Sequence, residues 1–141
     1  MSLRPNVLDF QNQFSVVGGV SQLIPATGGY WFTSLSNTCY DISGYQYLNL
    51  LAKVGPGTGP MAIGIDIYDT TCQTKNNTYY YNVAASAITS GTLQQVNIPI
   101  QTVITDTASR TRIKAIVLTG FTAGATYQWD KIELDNCPGS V

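Results

Sequence analysis

The side chains with the clearest potential for chemistry are carboxylates, while histidine, the usual partner of a nucleophile or a metal, is absent. Its absence excludes Ser-His-Asp and Cys-His hydrolases and histidine-ligated zinc and copper sites. A glycosidase needs only two carboxylates, and the available pairs are Asp66 with Asp69 and Asp130 with Glu133. Neither pair differs from ordinary strand and turn chemistry, so we expect a domain without catalytic activity.

The elements that must position these side chains are predicted to be strands. Helical periodicity is weak throughout, whereas short alternating segments are separated by clusters of Gly, Pro, Asn and Ser. This pattern predicts an all-β antiparallel sandwich of eight or nine strands. We expect a single domain over residues 6–137, an N-terminal extension at 1–5 and a tail at 138–141. The predicted strands cover residues 7–10, 20–24, 30–33, 47–54, 61–69, 78–83, 93–100, 112–119 and 127–135, with a short turn of helix within 101–111.

Charge and composition limit the classes of partner that this protein can have. The net charge is -1 and only 11% of residues are charged, which argues against nucleic acid because phosphate binding needs clustered Lys and Arg. No run of eighteen apolar residues is present, so we expect no membrane partner. Residues 1–4 lack an apolar signal core, which fits a cytosolic protein or a mature domain with a new start codon. Abundant Thr, Ser, Asn and Tyr favour a secreted protein, and Asn76 begins an N-glycosylation acceptor pattern.

Three cysteines allow one disulfide in three possible pairings. Cys39 and Cys72 lie mid-chain, and each adjoins a segment that is predicted to be a strand. We therefore favour a Cys39–Cys72 bond, which leaves Cys137 free or bonded to a partner. Three reduced cysteines in a cytosolic protein are the alternative.

Two short segments carry a family resemblance. Asp-Ile-Ser-Gly-Tyr-Gln-Tyr-Leu at residues 41–48 leads into an alternating strand, and Tyr-Gln-Trp-Asp-Lys-Ile-Glu-Leu at 127–134 closes the chain. In this order they resemble the galactose-binding-like jelly-roll domains, especially non-catalytic carbohydrate-binding modules. The cysteine-flanked version is similar to accessory modules of secreted fungal polysaccharide-modifying enzymes. The resemblance spans residues 6–137 and implies a jelly roll that anchors to a polysaccharide such as chitin or β-glucan.

A sugar site needs flat aromatic faces, with amides and carboxylates that hydrogen-bond hydroxyl groups. Residues 61–69 alternate so that three isoleucines share one face while Asp66 and Tyr68 share the other, where Gly64 leaves room for a ring. If residues 47–54 form the neighbouring strand, Asn49 and Lys53 join that face. Alternatively, Asp66 pairs with a lysine and Trp129 lies in the core. The predicted carbohydrate-binding residues are Asn49, Asp66, Tyr68, Tyr80, Tyr127 and Trp129.

Two further expectations concern a metal and a different class of function. No cofactor is required by the sequence, but the resemblance implies that a structural calcium is possible near the chain ends, where oxygen ligands would hold it. The alternative function is an extracellular, self-associating structural protein, because near-zero net charge favours association and Cys137 is suited to cross-linking. The calcium candidates are Asp9, Asp130, Glu133 and Asp135.

Overall fold

A computed structural model describes residues 13–35 and 37–139, which form two antiparallel β-sheets packed face to face. The nine strands confirm the predicted all-β sandwich. A four-residue helix α1 (Ile100–Val103) and 3-10 turns at Ala85–Ala87 and Ser109–Thr111 are the helical elements of the described part. None of its helices is long and apolar enough to cross a membrane. The strands are β1 (Gln13–Val17), β2 (Val20–Ile24), β3 (Trp31–Ser34), β4 (Tyr47–Val54), β5 (Met61–Tyr68), β6 (Lys75–Val83), β7 (Gln94–Pro99), β8 (Ile113–Thr119) and β9 (Tyr127–Asp135).

Sheet membership decides which side chains can meet. One sheet has five strands in the order β1-β2-β9-β4-β7, and the other has four in the order β3-β8-β5-β6. Strands β4 and β5 are consecutive in sequence, yet they belong to different sheets. The neighbours of β5 are β6 and β8. The expectation that β4 borders β5 is therefore wrong.

The core lies between the sheets and is filled by the alternating faces of the strands. Ile63, Ile65 and Ile67 of β5 are buried, as period-two alternation requires. Each such side chain contributes about 1.5–3 kcal/mol of hydrophobic stabilisation. Across the core, the rings of Trp31 and Trp129 meet edge to face with centroids 5.1 Å apart, an arrangement that the ring quadrupoles favour.

A β-bulge in β9 changes which residues point inward. Opposite β4, the partner of Asn49 is Glu133 but the partner of Leu51 is Asp130, so β9 carries extra residues at this point. Lys131 has φ 53°, the left-handed conformation of a bulge residue. Odd-numbered residues point into the core before the bulge, and even-numbered ones after it. Lys131 is therefore exposed, although strict alternation from Tyr127 and Trp129 would turn it toward the core.

Two connections complete the frame. Gly18 and Gly19 both have positive φ, 59° and 83°, as a two-residue hairpin turn between β1 and β2 requires. A disulfide joins Cys39 to Cys72, as predicted, with a Cα–Cα distance of 5.6 Å. It ties the segment after β3 to the β5–β6 connection. Cys137 is free and exposed. The predicted strand at residues 7–10 lies outside the described residues.

Candidate functional site

A groove of about 400 Å³ runs across the outer face of the four-stranded sheet. The pairing of β5 with β6 and β8 determines which residues form the bottom of the groove. Gly64 pairs with Tyr80 on β6 and with Val117 on β8, and Asp66 pairs with Thr78 on β6. Side chains at these positions share the face opposite the isoleucine stripe of β5. The groove is lined by Tyr30, Phe32, Ser34, Asp66, Tyr68, Lys75, Thr78, Tyr80, Lys114, Ala115, Val117 and Thr119.

Tyr80 supplies a flat, accessible aromatic surface. Its side chain is 56% exposed, and its ring lies against the backbone of Gly64. A Cβ at position 64 would come within 3.1 Å of Tyr80 Cε1. The space that the sequence indicated at Gly64 is therefore filled by this ring, which also lines the groove.

Asp66 provides the acidic group of the groove. Its residue is 8% exposed, and its Oδ1 accepts a hydrogen bond of 2.7 Å from the Thr78 hydroxyl. The predicted alternative, pairing with Lys53 or Lys114, is not what the structure shows: Lys53 belongs to the other sheet, and the Lys114 ammonium donates to the Cys72 carbonyl. The second carboxylate oxygen remains available to accept from a hydroxyl of a ligand.

Tyr68 and two lysines occupy one end of the groove. Asp66 pairs with Ala115 and Ile67 with Ile113, so Lys114 is the extra residue of a bulge in β8. Its Nζ lies 4.7 Å from the centroid of the Tyr68 ring, a cation–π contact. On β6, Lys75 is the cross-strand partner of Tyr68. This end is therefore cationic.

At the opposite end of the groove lie two aromatic residues, Tyr30 and Phe32, that the sequence prediction did not include. The rings of Tyr30 and Phe32 are stacked with centroids 6.5 Å apart and planes inclined by 27°. Buried Trp31 and Thr33 alternate with these outward positions in β3. Local alternation predicts that Tyr30 and Phe32 share a face, but only the pairing of β3 with β8 brings them to the groove.

Two of the predicted sugar-binding rings are in the core, and we correct the prediction for both. Tyr127 and Trp129 are 1% and 2% exposed. The Tyr127 hydroxyl donates to the Pro60 carbonyl at 2.7 Å and accepts from the Thr122 N–H at 2.9 Å. Trp129 packs on Trp31. Both rings are therefore packed inside the protein, and the Tyr127 hydroxyl is bonded to backbone groups.

Asn49 is also separated from the groove. It lies on β4, in the five-stranded sheet, with 5% of its surface exposed. Its Nδ2 donates to the Cys137 carbonyl at 2.9 Å, so this side chain fastens the C-terminal segment to the outer face of that sheet. Of the predicted carbohydrate-binding set, the structure brings together Asp66, Tyr68 and Tyr80.

The calcium candidates do not converge on one place. Asp9 lies outside the described residues, Asp130 lines a depression beside β2, and Glu133 and Asp135 line a groove of about 340 Å³ with Asn49. Among residues 13–35 and 37–139, no group of three or more His, Cys, Asp or Glu side chains is gathered for a metal. Asp130 therefore lines a different depression from Glu133 and Asp135, and calcium binding stays a prediction.

Other sequence candidates lie near the groove but perform local roles. Asp69 begins the β5–β6 connection, and its Oδ1 accepts from the hydroxyl and N–H of Thr71 and the N–H of Gln73. The bond from the Thr71 hydroxyl is the main reason that the pKa of Asp69 is lowered. Asn76, the predicted glycosylation residue, is exposed on β6.

With this geometry in hand, the fold can be compared with solved structures. A family 30 carbohydrate-binding module has a TM-score of 0.68 at 15% identity, covering 97% of this chain and 80% of that one. A family 11 module from Clostridium thermocellum, solved with a β-1,3-1,4-mixed-linked tetrasaccharide, has a TM-score of 0.65 at 15% identity, with 92% and 84% covered. A family 29 module complexed with cellulohexaose has a TM-score of 0.61 at 10% identity, with 91% and 78% covered.

The chain has the fold of these jelly-roll modules. No protein-family model matches the sequence, and no curated protein matches it. The structural neighbours are carbohydrate-binding modules, as the resemblance implied. Similarity to accessory modules of fungal enzymes stays a prediction.

Proposed function

We propose that this domain binds a polysaccharide non-catalytically in the groove on its four-stranded sheet. The observation that carries the proposal is the exposed ring of Tyr80 beside Gly64, with Asp66 on the same face of the sheet. A pyranose stacked on the ring buries its apolar face, while the carboxylate accepts hydrogen bonds from hydroxyls. Stacking and hydrogen bonding together are the two interactions that a sugar site needs.

The groove lacks the pair of carboxylates that hydrolysis requires. Among the described residues that line it, Asp66 is the one acidic side chain. Both inverting and retaining glycosidases use two carboxyl groups, about 5–9.5 Å apart. A single carboxylate supports binding of a sugar chain, and it supports no glycosidase mechanism of this kind.

Among polysaccharides, we propose a β-linked glucan before chitin. The family 11 and family 29 neighbours were solved with β-glucan oligosaccharides. Ligand recognition by the family 29 module was probed with variants of an aspartate, a lysine and a tyrosine. The same three residue types meet in this groove, in Asp66, Lys75 with Lys114, and Tyr80.

Isothermal titration with cellohexaose, a mixed-linked glucan oligosaccharide and chitohexaose tests the proposal. Tyr80→Ala should weaken binding of the glucan oligosaccharides at least tenfold, which is about 1.4 kcal/mol. Tyr47→Ala is the matched control, because Tyr47 lies on the five-stranded sheet. Absence of binding to all three sugars, or equal losses in the two variants, would refute a sugar site on this face.

The domain is further proposed to be secreted. The Cys39–Cys72 disulfide is compatible with an oxidising compartment. Exposed Asn76 is then accessible for N-glycosylation. Expression in a eukaryotic secretory host, followed by treatment with an N-glycosidase, should lower the apparent mass of the protein, and Asn76→Gln should remove that shift.

Self-association is a second candidate function, and one observation favours it. Val16 and Val17 are 62% and 52% exposed on β1, which is an edge strand of its sheet among the described strands. An edge strand with apolar side chains can add a strand from another copy. Size-exclusion chromatography with light scattering should then show a concentration-dependent oligomer that Val16→Lys dissociates, while a monomer at all concentrations excludes this function.

A further inference from the structure

The cationic end of the groove concentrates charge in a chain that has little of it. Two of the four lysines in the sequence, Lys75 and Lys114, line this end. The described arginines are engaged elsewhere, since Arg110 Nε donates to the Ile104 carbonyl and Arg112 Nε to the Tyr68 carbonyl. The two lysines therefore provide the ammonium groups of the site.

Lys114 is held in position before any ligand arrives. Its Nζ donates a hydrogen bond of 3.1 Å to the Cys72 carbonyl and lies 4.7 Å from the centroid of the Tyr68 ring. An ammonium carries three N–H donors, so donors remain after the bond to Cys72. A cation that is fixed in this way loses less conformational entropy on binding an anion than a freely rotating lysine does.

The groove is polarised as a result. At the Tyr80 end, ring faces are open for stacking. At the Tyr68 end, the ammonium of Lys114 lies over the ring, so that face of Tyr68 offers charge instead of a stacking surface. Asp66, between the two ends, accepts from the Thr78 hydroxyl, whereas Lys114 donates to the Cys72 carbonyl.

A second depression of about 370 Å³ continues beyond Lys114, which lines both. Its other lining groups are hydroxyls, amides and backbone near the disulfide, namely Asn37, Thr38, Thr71, Cys72 and Gln73. A sugar chain that passes Lys114 therefore remains in contact with groups that hydrogen-bond hydroxyls. Lys114 therefore lies between the two depressions.

We propose that Lys75 and Lys114 bind the carboxylate of an acidic sugar, so that the preferred ligand is a polysaccharide containing uronic acid units. This inference rests on the proposed carbohydrate binding and adds a charge preference to it. A carboxylate near two ammonium groups gains charge-assisted hydrogen bonds, which a neutral hydroxymethyl group forms only in weaker form.

The test compares cellohexaose with the same oligosaccharide oxidised to carboxylates at C6. At low ionic strength the oxidised form should bind about tenfold more tightly, as two partly exposed ion pairs allow. The ratio of the two affinities should fall to about threefold in Lys114→Met and in Lys75→Met, and it should approach one in the double variant. Lys53→Met, on the five-stranded sheet, is the matched control and should keep the wild-type ratio. Raising the salt concentration to about 0.5 M should reduce the ratio, because the Debye length shortens.

Equal affinity for the two oligosaccharides overturns the charge preference and leaves the proposed carbohydrate binding intact. A preference that is undiminished in both groove-lysine variants, or one that Lys53→Met reduces equally, also overturns it. Binding of neither oligosaccharide refutes the charge preference and the proposed function together.

Discussion

The ring of Tyr80 lies across the backbone of its cross-strand partner Gly64, so closely that a Cβ at position 64 would come within 3.1 Å of Tyr80 Cε1 and 3.0 Å of Thr78 Cγ2. An aromatic ring that covers a glycine in a neighbouring strand replaces the side-chain packing that the glycine lacks. Here the same contact fixes the position of the ring while the residue stays 56% exposed. Gly64 therefore shapes the proposed site without contacting the ligand.

Gly64→Ala should displace the Tyr80 ring and weaken sugar binding severalfold. The added methyl group crowds Tyr80 and Thr78, so we expect the free energy of unfolding to fall by about 1 kcal/mol. Isothermal titration measures the first effect and urea unfolding the second. Gly44→Ala is the control, because a Cβ there meets nothing within 4 Å. Unchanged affinity in Gly64→Ala would show that the ring orientation is not set by this contact.

Thr78 orients the Asp66 carboxylate, and the two can be separated by substitution. Thr78→Val keeps the side-chain shape but removes the hydroxyl that donates to Asp66 Oδ1. Because hydrogen bonds to charged groups contribute about 1.5–3 kcal/mol, we expect lower thermal stability and weaker sugar binding. Thr78→Ser keeps the donor and should behave like the wild type in both measurements. Equal behaviour of the valine and serine variants would show that the hydroxyl is unimportant.

Local alternation was sufficient to predict much of the fold. The bounds of β2, β4 and β9 agree with the predicted 20–24, 47–54 and 127–135, because apolar and polar residues alternate there between clear turn residues. The short strand β1 was missed. Its residues 13–17 alternate over only five positions, and the two valines at 16 and 17 break the alternation before the glycine turn.

For the site, the sequence predicted which residues of one strand share a face, but it did not predict which strands are neighbours. Asp66 and Tyr68 were predicted to share a face because they alternate within β5, whereas Tyr80 was predicted without a position relative to them, and the pairing of β5 with β6 brings it to that face. Asn49 was misplaced because sheet membership depends on long-range pairing. Trp129 was misassigned because neither its burial nor the bulge at Lys131 has a local sequence signal.

Acid should destabilise the protein through its turn aspartates. The pKa values of Asp41, Asp69 and Asp106 are lowered, chiefly by side-chain hydrogen bonds from Ser43, Thr71 and Ser109. A carboxyl group whose pKa is lower in the folded state stabilises that state above its unfolded pKa, and this contribution is lost as the pH falls through the folded pKa. We therefore expect melting temperatures to be nearly constant between about pH 5 and 7, since histidine is absent, and to fall below about pH 4.

Asp69→Asn isolates one of these groups. The variant should melt below the wild type at pH 7, where it lacks the charge that the Thr71 hydroxyl stabilises. The difference should shrink toward pH 3, because a protonated aspartate is also uncharged. A difference that is independent of pH would assign the effect to lost geometry and not to titration.

Calcium binding, predicted from the resemblance, can be sought at one specific groove. Glu133 and Asp135 line it with Asn49, whose buried Oδ1 has no hydrogen-bond partner in the structure. We predict that calcium raises the melting temperature, since a ligand present at a hundred times its Kd stabilises by about 2.7 kcal/mol. Glu133→Gln should abolish the shift, and Asp130→Asn, at a different depression, should keep it. No shift with calcium, or the same shift in both variants, argues against this site.

The Cys39–Cys72 disulfide links stability to the cationic end of the groove, because the Cys72 carbonyl accepts the hydrogen bond from Lys114. The cysteines are 33 residues apart, and closing a loop of this size contributes about 3–4 kcal/mol in the chain-entropy model. The Cys39→Ser, Cys72→Ser double variant should lose that amount in urea unfolding. It should also bind the oxidised oligosaccharide with a smaller advantage, because Lys114 loses its fixed acceptor. Cys137→Ser, which removes an exposed free thiol, should change neither quantity; a full charge preference in the double variant would show that Lys114 does not depend on the disulfide.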